Sequence, residues 1–245
     1  MPDFQKDVNL MQNLIDTHDR IVFFGGAGVS TESGIPDFRS KDGLYNQKYK
    51  YDPETIISFH FFETYTKDFY EFYKDRMLLL DKKPNGAHLF LSKLEKSGKL
   101  KAIVTQNIDG LHQMAGSKNV IELHGSIHRN YCMDCGAFYD GNFMKNSKDI
   151  IPHCQKCGGV IKPDVVLYGE ALDNGVIDKA IYEIRNADLL IVAGTSLVVY
   201  PAASFINVFC GDKLVLINKD PSSADNRADY TIHQKVGELF ERLHV

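Results

Sequence analysis

The chain has 245 residues, 44% apolar and 11% aromatic, with a formal net charge of -4 at pH 7. This is enough for one large domain or for a domain with a smaller module. The slight negative charge argues against a nucleic-acid or anionic-membrane surface, because such surfaces favour clustered Lys and Arg. No apolar run approaches the roughly 20 residues that span a bilayer and no signal segment is recognised, which predicts a cytoplasmic protein without membrane or nucleic-acid partners.

A helix and then a strand are predicted at the start of the chain. Residues 5–18 place apolar side chains at helical spacing, and residues 21–24 are a β-branched and aromatic run typical of a buried strand. Three glycines follow at once: Gly25, Gly26 and Gly28. Without a Cβ, these positions let the backbone turn tightly and lay its N–H groups against a pyrophosphate. The dinucleotide fingerprint has a third glycine where Thr31 stands, so this loop alone is a weak indication.

The rest of the chain alternates between helical and strand patterns. Residues 51–80 are aromatic and helix-permissive, which predicts two or three helices inserted after the glycine loop. Further strands are predicted at 102–105, 120–124, 188–194 and 213–218, and further helices near 88–96, 175–186, 201–209 and 234–243. Continuous apolar strands alternating with helices are typical of a parallel sheet. The pattern therefore predicts a doubly wound, Rossmann-like α/β fold.

The domain boundaries follow from this alternation. Residues 1–38, 86–126 and 162–245 are expected to form the Rossmann-like nucleotide-binding domain. Residues 39–85 would form a helical module and residues 127–161 a ribbon, and the two together would make a small domain.

Four of the five cysteines lie in two Cys-x-x-Cys pairs: Cys132 with Cys135, and Cys154 with Cys157. In a chain without a secretion signal this spacing indicates Zn²⁺ rather than disulfides. Four thiolates fill a tetrahedral shell and leave no position for a substrate water, which predicts one structural zinc in the ribbon. The alternative is a pair of redox dithiols, although such motifs normally come singly at a helix start. Cys210 lies in an apolar stretch and is interpreted as a core residue.

Polar residues crowd the end of the strand predicted at 102–105. Gln106, Asn107 and Asp109 follow it, and His124 ends the next strand. Because ligands of open α/β sheets bind at the carboxyl ends of strands, these side chains fall where a nucleotide's sugar and leaving group would sit. Alternatively, Asn and Asp often satisfy local backbone groups after a strand, and a lone histidine is usually structural. Their occurrence together favours a site.

Together these motifs resemble those of the sirtuins, which are NAD-dependent protein lysine deacylases. The resemblance rests on the glycine loop with residues 34–39, the block 105–112, His124 with Gly125, and the four paired cysteines. Three later blocks are similar to the family's acyl-lysine loop, second nucleotide loop and adenosine strand, in the family's order: 162–170, 194–202 and 216–218. The likeness spans about residues 20 to 240.

The resemblance implies a reaction that breaks the bond between nicotinamide and ribose and passes the acyl oxygen of a modified lysine to the anomeric carbon. The implied products are nicotinamide, deacylated lysine and O-acyl-ADP-ribose. His124 would be the general base on a ribose hydroxyl, Asn107 would position ribose or a water, and Asp109 would accept from the nicotinamide carboxamide. The implied cofactors are NAD and one structural Zn²⁺, the substrate is acylated lysine in a protein or peptide, and the chain is expected to be a monomer.

The resemblance also implies which residues line the two substrate sites. Ile108 would line the nicotinamide pocket, and Phe38 would shield the reaction centre from water. The other implied cofactor-binding positions are Gly26, Ala27, Gly28, Ser30, Thr31, Arg39, Gln106, Gly194, Thr195, Ser196, Asn218, Lys219 and Val236. The implied positions for the substrate peptide and the apolar lysine channel are Val165, Val166 and Tyr168.

Several positions bear on the choice of acyl group. Tyr73 and Arg76 resemble the pair that lets some sirtuins bind succinyl or malonyl groups, where Arg pairs the carboxylate. Against this, Ile57 stands where those members carry a small residue, and an aromatic helix exposing both side chains to water is an equal explanation. Lys162 and Tyr168 replace the family's more frequent Arg and Phe, and neither is a reacting group. We expect acetyl or another neutral acyl group.

Two other functions use the same features. An ADP-ribosyl transferase would break the same bond between nicotinamide and ribose and would transfer ADP-ribose to a protein side chain. Because this reaction does not need His124 as a base, the presence of His124 weighs against it. A nucleotide-sensing module with a zinc ribbon would bind the dinucleotide without turnover, although it would not need Asn107, Asp109 and His124 intact.

Overall fold

The computed structural model describes residues 2–37, 43, 50–222 and 224–245. Its main sheet consists of six parallel strands: β1 (Ile21–Gly25), β2 (Leu100–Thr105), β3 (Val120–Glu122), β7 (Leu189–Ala193), β8 (Lys213–Ile217) and β9 (Tyr230–Ile232). The strand order is β3-β2-β1-β7-β8-β9, so the order reverses between β1 and β7. This is the doubly wound topology that the sequence predicts.

Helices cover both faces of the main sheet. On one face lie α1 (Pro2–Thr17), α5 (Gly86–Lys96) and α9 (Val236–Phe240), and on the other α8 (Asn174–Arg185) with the 3₁₀ segment Ala202–Val208. Successive side chains of β1 enter opposite cores: Ile21 and Phe23 pack on the first face, Val22 and Phe24 on the second. A strand buried on both faces is apolar throughout, which is why these strands read as continuous hydrophobic runs.

A smaller antiparallel sheet is formed by β4 (Gly125–Cys132), β5 (Phe138–Asp140) and β6 (Ile161–Val165), in the order β5-β4-β6. The remaining helices are α2 (Pro53–Ile56), α3 (Phe59–Thr64), α4 (Thr66–Phe72), α6 (Leu111–Met114) and α7 (Gly141–Asn146), and a π-helical turn, Tyr73–Met77, continues α4. Residues of α2 to α4 share one apolar core with this sheet. The domain boundary predicted between residues 161 and 162 falls inside β6, which is one continuous strand of the small sheet.

Most predicted elements are confirmed, including the opening helix and the short helices between 51 and 80. Strand β9 was not predicted, because its three residues, Tyr230–Ile232, lie in a polar stretch without an apolar run. The interpretation of Cys210 as a core residue is wrong: it is exposed, since the 3₁₀ segment ends at Val208 and Cys210 lies in the turn before β8. Within the described residues, no helix is both long and apolar enough to cross a membrane.

Two buried histidines lie side by side, one in α5 and the other in α6. The rings of His88 in α5 and His112 in α6 have centroids 4.7 Å apart. His88 Nδ1 is 3.0 Å from the amide oxygen of Asn85, whereas neither ring nitrogen of His112 has a hydrogen-bond partner among the described residues. Burial lowers the pKa of His88 to about 4 and lowers the pKa of His112 well below its ordinary value. Both rings are therefore neutral at pH 7.

This pair predicts acid sensitivity of the fold. Between the ordinary histidine pKa and the lowered folded values, the unfolded chain binds protons that the folded chain excludes, so stability falls as the pH drops from about 6.5 towards 4. For His88 alone the loss is on the order of 3 kcal/mol. Urea unfolding of the wild type and His112→Leu between pH 5 and 7.5 should give a shallower pH slope for the variant. Equal slopes would contradict the assignment, with the exposed His60→Leu as control.

Candidate active site

The reversal of strand order between β1 and β7 places a crevice outside the carboxyl ends of these strands, where ligands of this fold bind. The loop after β1 enters this crevice and lies against the loop after β7. The N–H of Gly26 donates to the carbonyl of Ala193 at 3.0 Å, and the N–H of Gly28 donates to the carbonyl of Gly194 at 2.8 Å. Both N–H groups therefore donate across the floor of the crevice, and the prediction that the loop faces a pyrophosphate stays a prediction for its other N–H groups.

The glycines are required by the contact between the two loops. A Cβ on Gly26 would lie 2.7 Å from the Cβ of Thr195, and a Cβ on Gly28 would lie 2.7 Å from the Cα of Gly194. Separations this short force the backbone to move. The absence of side chains at these positions thus sets the depth of the crevice.

A network centred on Ser30 joins the glycine loop to the segment after β2. The Ser30 hydroxyl donates to Oδ2 of Asp109 at 2.6 Å and accepts from Nδ2 of Asn107 at 3.1 Å. The other carboxylate oxygen of Asp109 accepts from the N–H of Leu111 at 2.9 Å. All three side chains of the network are nine-tenths or more buried. A carboxylate offers about four acceptor sites, so Asp109 keeps capacity for a ligand amide.

Gln106, which directly follows β2, links the segment after β2 to Thr195 and to His124. Its side-chain amide donates to the hydroxyl of Thr195 at 3.1 Å, and its carbonyl lies 3.0 Å from Nδ1 of His124. Because a carbonyl can only accept, Nδ1 of His124 carries the proton and Nε2 of the neutral ring is an acceptor. Burial lowers the pKa of His124, partly offset by the hydrogen bond to Gln106. The ring is therefore neutral at pH 7 and suited to accept a proton.

The predicted acyl-lysine loop lies directly beside His124. The N–H of Val166 donates to the His124 carbonyl at 3.0 Å. Gly125 has a φ of 77°, and a Cβ there would lie 1.9 Å from the carbonyl oxygen of Asp164, so only glycine allows this approach. At the far end of the loop, the backbone of Tyr168 pairs with Ile57 at 3.0 Å and with Phe59 at 2.9 Å. The helical module thus holds the loop from the other side.

The side of the crevice predicted to hold adenosine is built by the loops after β7 and β8. Asn218 accepts from the N–H of Thr195 and donates to its carbonyl, both at 3.1 Å. Ser196 and Lys219 are exposed at this edge, whereas Val236, the first residue of α9, is buried in the core. In the glycine loop, Ala27 is half-buried and Thr31 exposed. Phe38 and Arg39 lie outside the described residues.

Tyr73 and Arg76 lie in different surroundings. Tyr73 is fully buried, stacked on Phe69 with ring centroids 5.8 Å apart, so the explanation that both side chains face water is wrong for it. Arg76 is exposed, and its Nε lies 2.7 Å from the carboxylate of Asp75. The Arg76 guanidinium is thus paired with a carboxylate at the surface.

The four paired cysteines converge in the small sheet. Their sulfur atoms all lie within 4.8 Å of one another, and tetrahedral Zn–S bonds of about 2.3 Å would place them about 3.8 Å apart. The Tyr139 hydroxyl donates to the sulfur of Cys154 at 3.2 Å, which lowers the pKa of that thiol to about 6 and favours the metal-binding thiolate. The donor set and its spacing fit one zinc ion.

One residue that supports the glycine loop was missed by the sequence predictions. The carboxylate of Glu32 accepts from the N–H groups of Gly237 at 2.6 Å and Glu238 at 3.1 Å, at the start of α9. These N–H groups have no partner within the helix, so Glu32 caps α9 from the glycine loop. A cap supplied from the other end of the chain leaves no local signal in the sequence.

The fold and the crevice define the class of protein first: a Rossmann-type dinucleotide-binding protein whose crevice holds a histidine beside a second, smaller module with four clustered cysteines. Comparison with known proteins gives the family. The model of the Sir2 family matches residues 26–201, and the chain belongs to this family.

The chain is similar over nearly its whole length to curated members of that family. It is 57% identical to the NAD-dependent protein deacetylase of Clostridium acetobutylicum, covering 96% of this chain and 97% of the relative, and 44% identical to that of Staphylococcus epidermidis, covering 97% and 96%. Among solved structures, a Sir2 complex with a peptide and NAD⁺ matches with a TM-score of 0.85 at 38% identity, and Sir2 bound to an acetylated peptide with 0.84 at 37%. Each covers 96% of both chains.

Proposed function

We propose that this protein is an NAD-dependent protein lysine deacetylase. The observation that carries the proposal is the position of His124: its Nδ1 is held by Gln106, its backbone carbonyl by the predicted acyl-lysine loop, and its Nε2 is left as an acceptor at the crevice. The curated relatives in Clostridium and Staphylococcus bear the same activity in their names.

The roles of the residues follow from their contacts. Bound NAD would supply the ribose that accepts the acyl group and the nicotinamide that leaves. Asp109 would accept from the carboxamide, beside Ile108, and Asn107 would position the ribose through its amide oxygen and its second N–H, since only one N–H of its amide donates to Ser30. His124 Nε2 would take the proton of a ribose hydroxyl as that oxygen becomes a nucleophile.

The remaining predicted cofactor positions would hold the rest of the dinucleotide. Gln106 and Thr195 form one hydrogen-bonded side of the crevice, and Asn218 supports the loop that carries Thr195 and Ser196. Bound zinc would crosslink the small sheet through Cys132, Cys135, Cys154 and Cys157, without an open position for a substrate.

We propose acetyl as the preferred acyl group and an extended peptide as the preferred substrate. Val165 and Leu167 anchor the loop in the core, while Val166 and Tyr168 are more exposed, and an extended peptide lying beside this loop would be held through backbone hydrogen bonds. A succinyl or malonyl group would need a guanidinium to neutralise its carboxylate. The exposed Arg76 is paired with Asp75, which supports a neutral acyl group instead.

The test is an assay with NAD and an acetyl-lysine peptide in which nicotinamide and deacetylated peptide are measured together. We expect the two products in equal amounts, with O-acetyl-ADP-ribose as the third. Nicotinamide release with ADP-ribose attached to protein, and no deacetylation, would instead support ADP-ribosyl transfer. NAD binding without turnover would support a nucleotide sensor. A matched succinyl-lysine peptide should be turned over more slowly.

The glycine contact across the crevice predicts a specific defect in NAD binding. In Gly28→Ala, the new methyl group would meet the backbone of Gly194 and push the two loops apart. We expect the KM for NAD to rise about tenfold or more, equivalent to about 1.4 kcal/mol of binding, with little change in the KM for the peptide. Gly175→Ala in the first turn of α8 is the control. Unchanged NAD affinity in Gly28→Ala would contradict the described contact.

A further inference from the structure

Strand β4 carries an irregularity next to the crevice. Ser126 pairs with Asp164 of β6, and Asn130 pairs with Pro163. Because Pro163 and Asp164 are consecutive, the three residues of β4 between these pairs have no partner in β6. We call residues 127–129 the β4 bulge. Bulges of this kind direct side chains and backbone groups away from the sheet and are frequent beside active sites.

The first two residues of the β4 bulge hold the loop that carries Asp109. The N–H of Ile127 donates to the carbonyl of Ile108 at 3.0 Å, and Nε2 of His128 donates to the carbonyl of Asp109 at 3.0 Å. The ring of His128 also fills the space above Gly110, where a Cβ would lie 2.6 Å from its Cδ2. Two successive carbonyls of the predicted nicotinamide loop are therefore held by two successive bulge residues.

The third residue of the β4 bulge, Arg129, contacts two segments on the other side of the crevice. The guanidinium of Arg129 lies 2.6 Å from the carboxylate of Glu122 and 2.8 Å from that of Asp164. Glu122 is two residues before His124 in the chain, and Asp164 directly precedes Val165 of the acyl-lysine loop. The Glu122 side chain is only 9% exposed, so this ion pair is partly shielded from water and Arg129 bridges two separate strands.

We propose that the β4 bulge positions the two halves of the reaction separately: His128 is a positioning residue for the nicotinamide side, and Arg129 is a positioning residue for the peptide side. Neither residue is assigned to contact a substrate. Because each acts on a different segment, their loss should change different kinetic constants. This inference rests on the proposed deacetylase function.

The test compares His128→Ala, His128→Gln and Arg129→Met with the wild type and with the exposed His60→Ala. Loss of one hydrogen bond of about 1 kcal/mol corresponds to roughly a fivefold change. We expect His128→Ala to raise the nicotinamide concentration for half-inhibition about fivefold and to lower kcat, with the peptide KM unchanged. His128→Gln, whose amide nitrogen can donate to the same carbonyl, should recover most of this loss. Arg129→Met should raise the peptide KM by about as much and leave nicotinamide inhibition unchanged.

Each outcome decides the inference. Equal changes in all constants for both variants, or no change in either, would overturn it. A general loss of stability would change the peptide KM and the nicotinamide inhibition in both variants alike. NAD affinity by calorimetry is measured on the same proteins. If the wild type shows no turnover, the proposed function fails, and the bulge is then tested by NAD binding alone: His128→Ala should weaken it and Arg129→Met should not, and any other result overturns the inference.

Discussion

Replacement of His124 by alanine is expected to lower the rate of deacetylation about a thousandfold, within the range contributed by a general base. Nε2 is the only ring atom left to take a proton, since Nδ1 donates to the carbonyl of Gln106. NAD should still bind, because the network of Ser30, Asn107 and Asp109 does not include His124. The measurement is kcat with an acetyl-lysine peptide, together with NAD affinity by calorimetry.

The control for this variant is its thermal unfolding midpoint, which should stay close to that of the wild type because, within the described part of the chain, the imidazole makes one hydrogen bond, to the carbonyl of Gln106. In the wild type, burial lowers the pKa of His124, so the acid limb of the rate profile should lie below the ordinary histidine value of about 6.5. A variant that keeps more than a tenth of the wild-type rate would show that another group is the base.

Replacement of Cys132 by alanine is expected to remove the bound metal and unfold the small sheet. Cys132 ends β4, and most residues between the two cysteine pairs are exposed, so only a few buried side chains such as Tyr139 and Met144 tie this segment to the apolar core, and a bound metal would supply much of its stability. Structural zinc contributes about 10–16 kcal/mol in isolated finger peptides, so loss of one of four ligands should exceed the effect of most substitutions. The measurement is zinc per chain with the yield of folded protein.

Cys210→Ala is the matched control, because Cys210 is the one cysteine outside the cluster and is exposed. It should retain one zinc per chain and full stability. Purified wild type that holds no zinc but forms disulfides reversibly would support the redox alternative. A Cys132→Ala protein with a full equivalent of zinc would contradict the proposed ligand set.

The sequence was informative where chemistry is carried by residue type and local spacing. The two Cys-x-x-Cys pairs predicted a four-sulfur cluster, and the four sulfurs converge. Alternating apolar runs predicted the doubly wound sheet, because strands covered on both faces must be apolar throughout. His124 and Asp109 were predicted as site residues because polar residues at strand ends collect at one edge of a parallel sheet, and their roles stay a prediction.

Contacts between distant segments could not be predicted in this way. The N–H groups of Gly26 and Gly28 bond to the end of β7 and the residue after it, far along the chain, and the local glycine motif does not reveal these partners. Exposure of Cys210 depends on where a 3₁₀ segment ends, which its apolar neighbours do not reveal. The contact of His128 with Asp109 exists only because β4 bulges, and a bulge leaves no pattern in a single sequence.

A crystal structure with NAD and an acetyl-lysine peptide bound together tests the central claim most directly. The predicted result has nicotinamide against Asp109, a ribose hydroxyl within hydrogen-bond distance of Nε2 of His124, and the acetyl group between His124 and the loop at 165–168. A structure in which the dinucleotide lies elsewhere, or in which Nε2 of His124 faces neither ribose nor the acyl group, would contradict it.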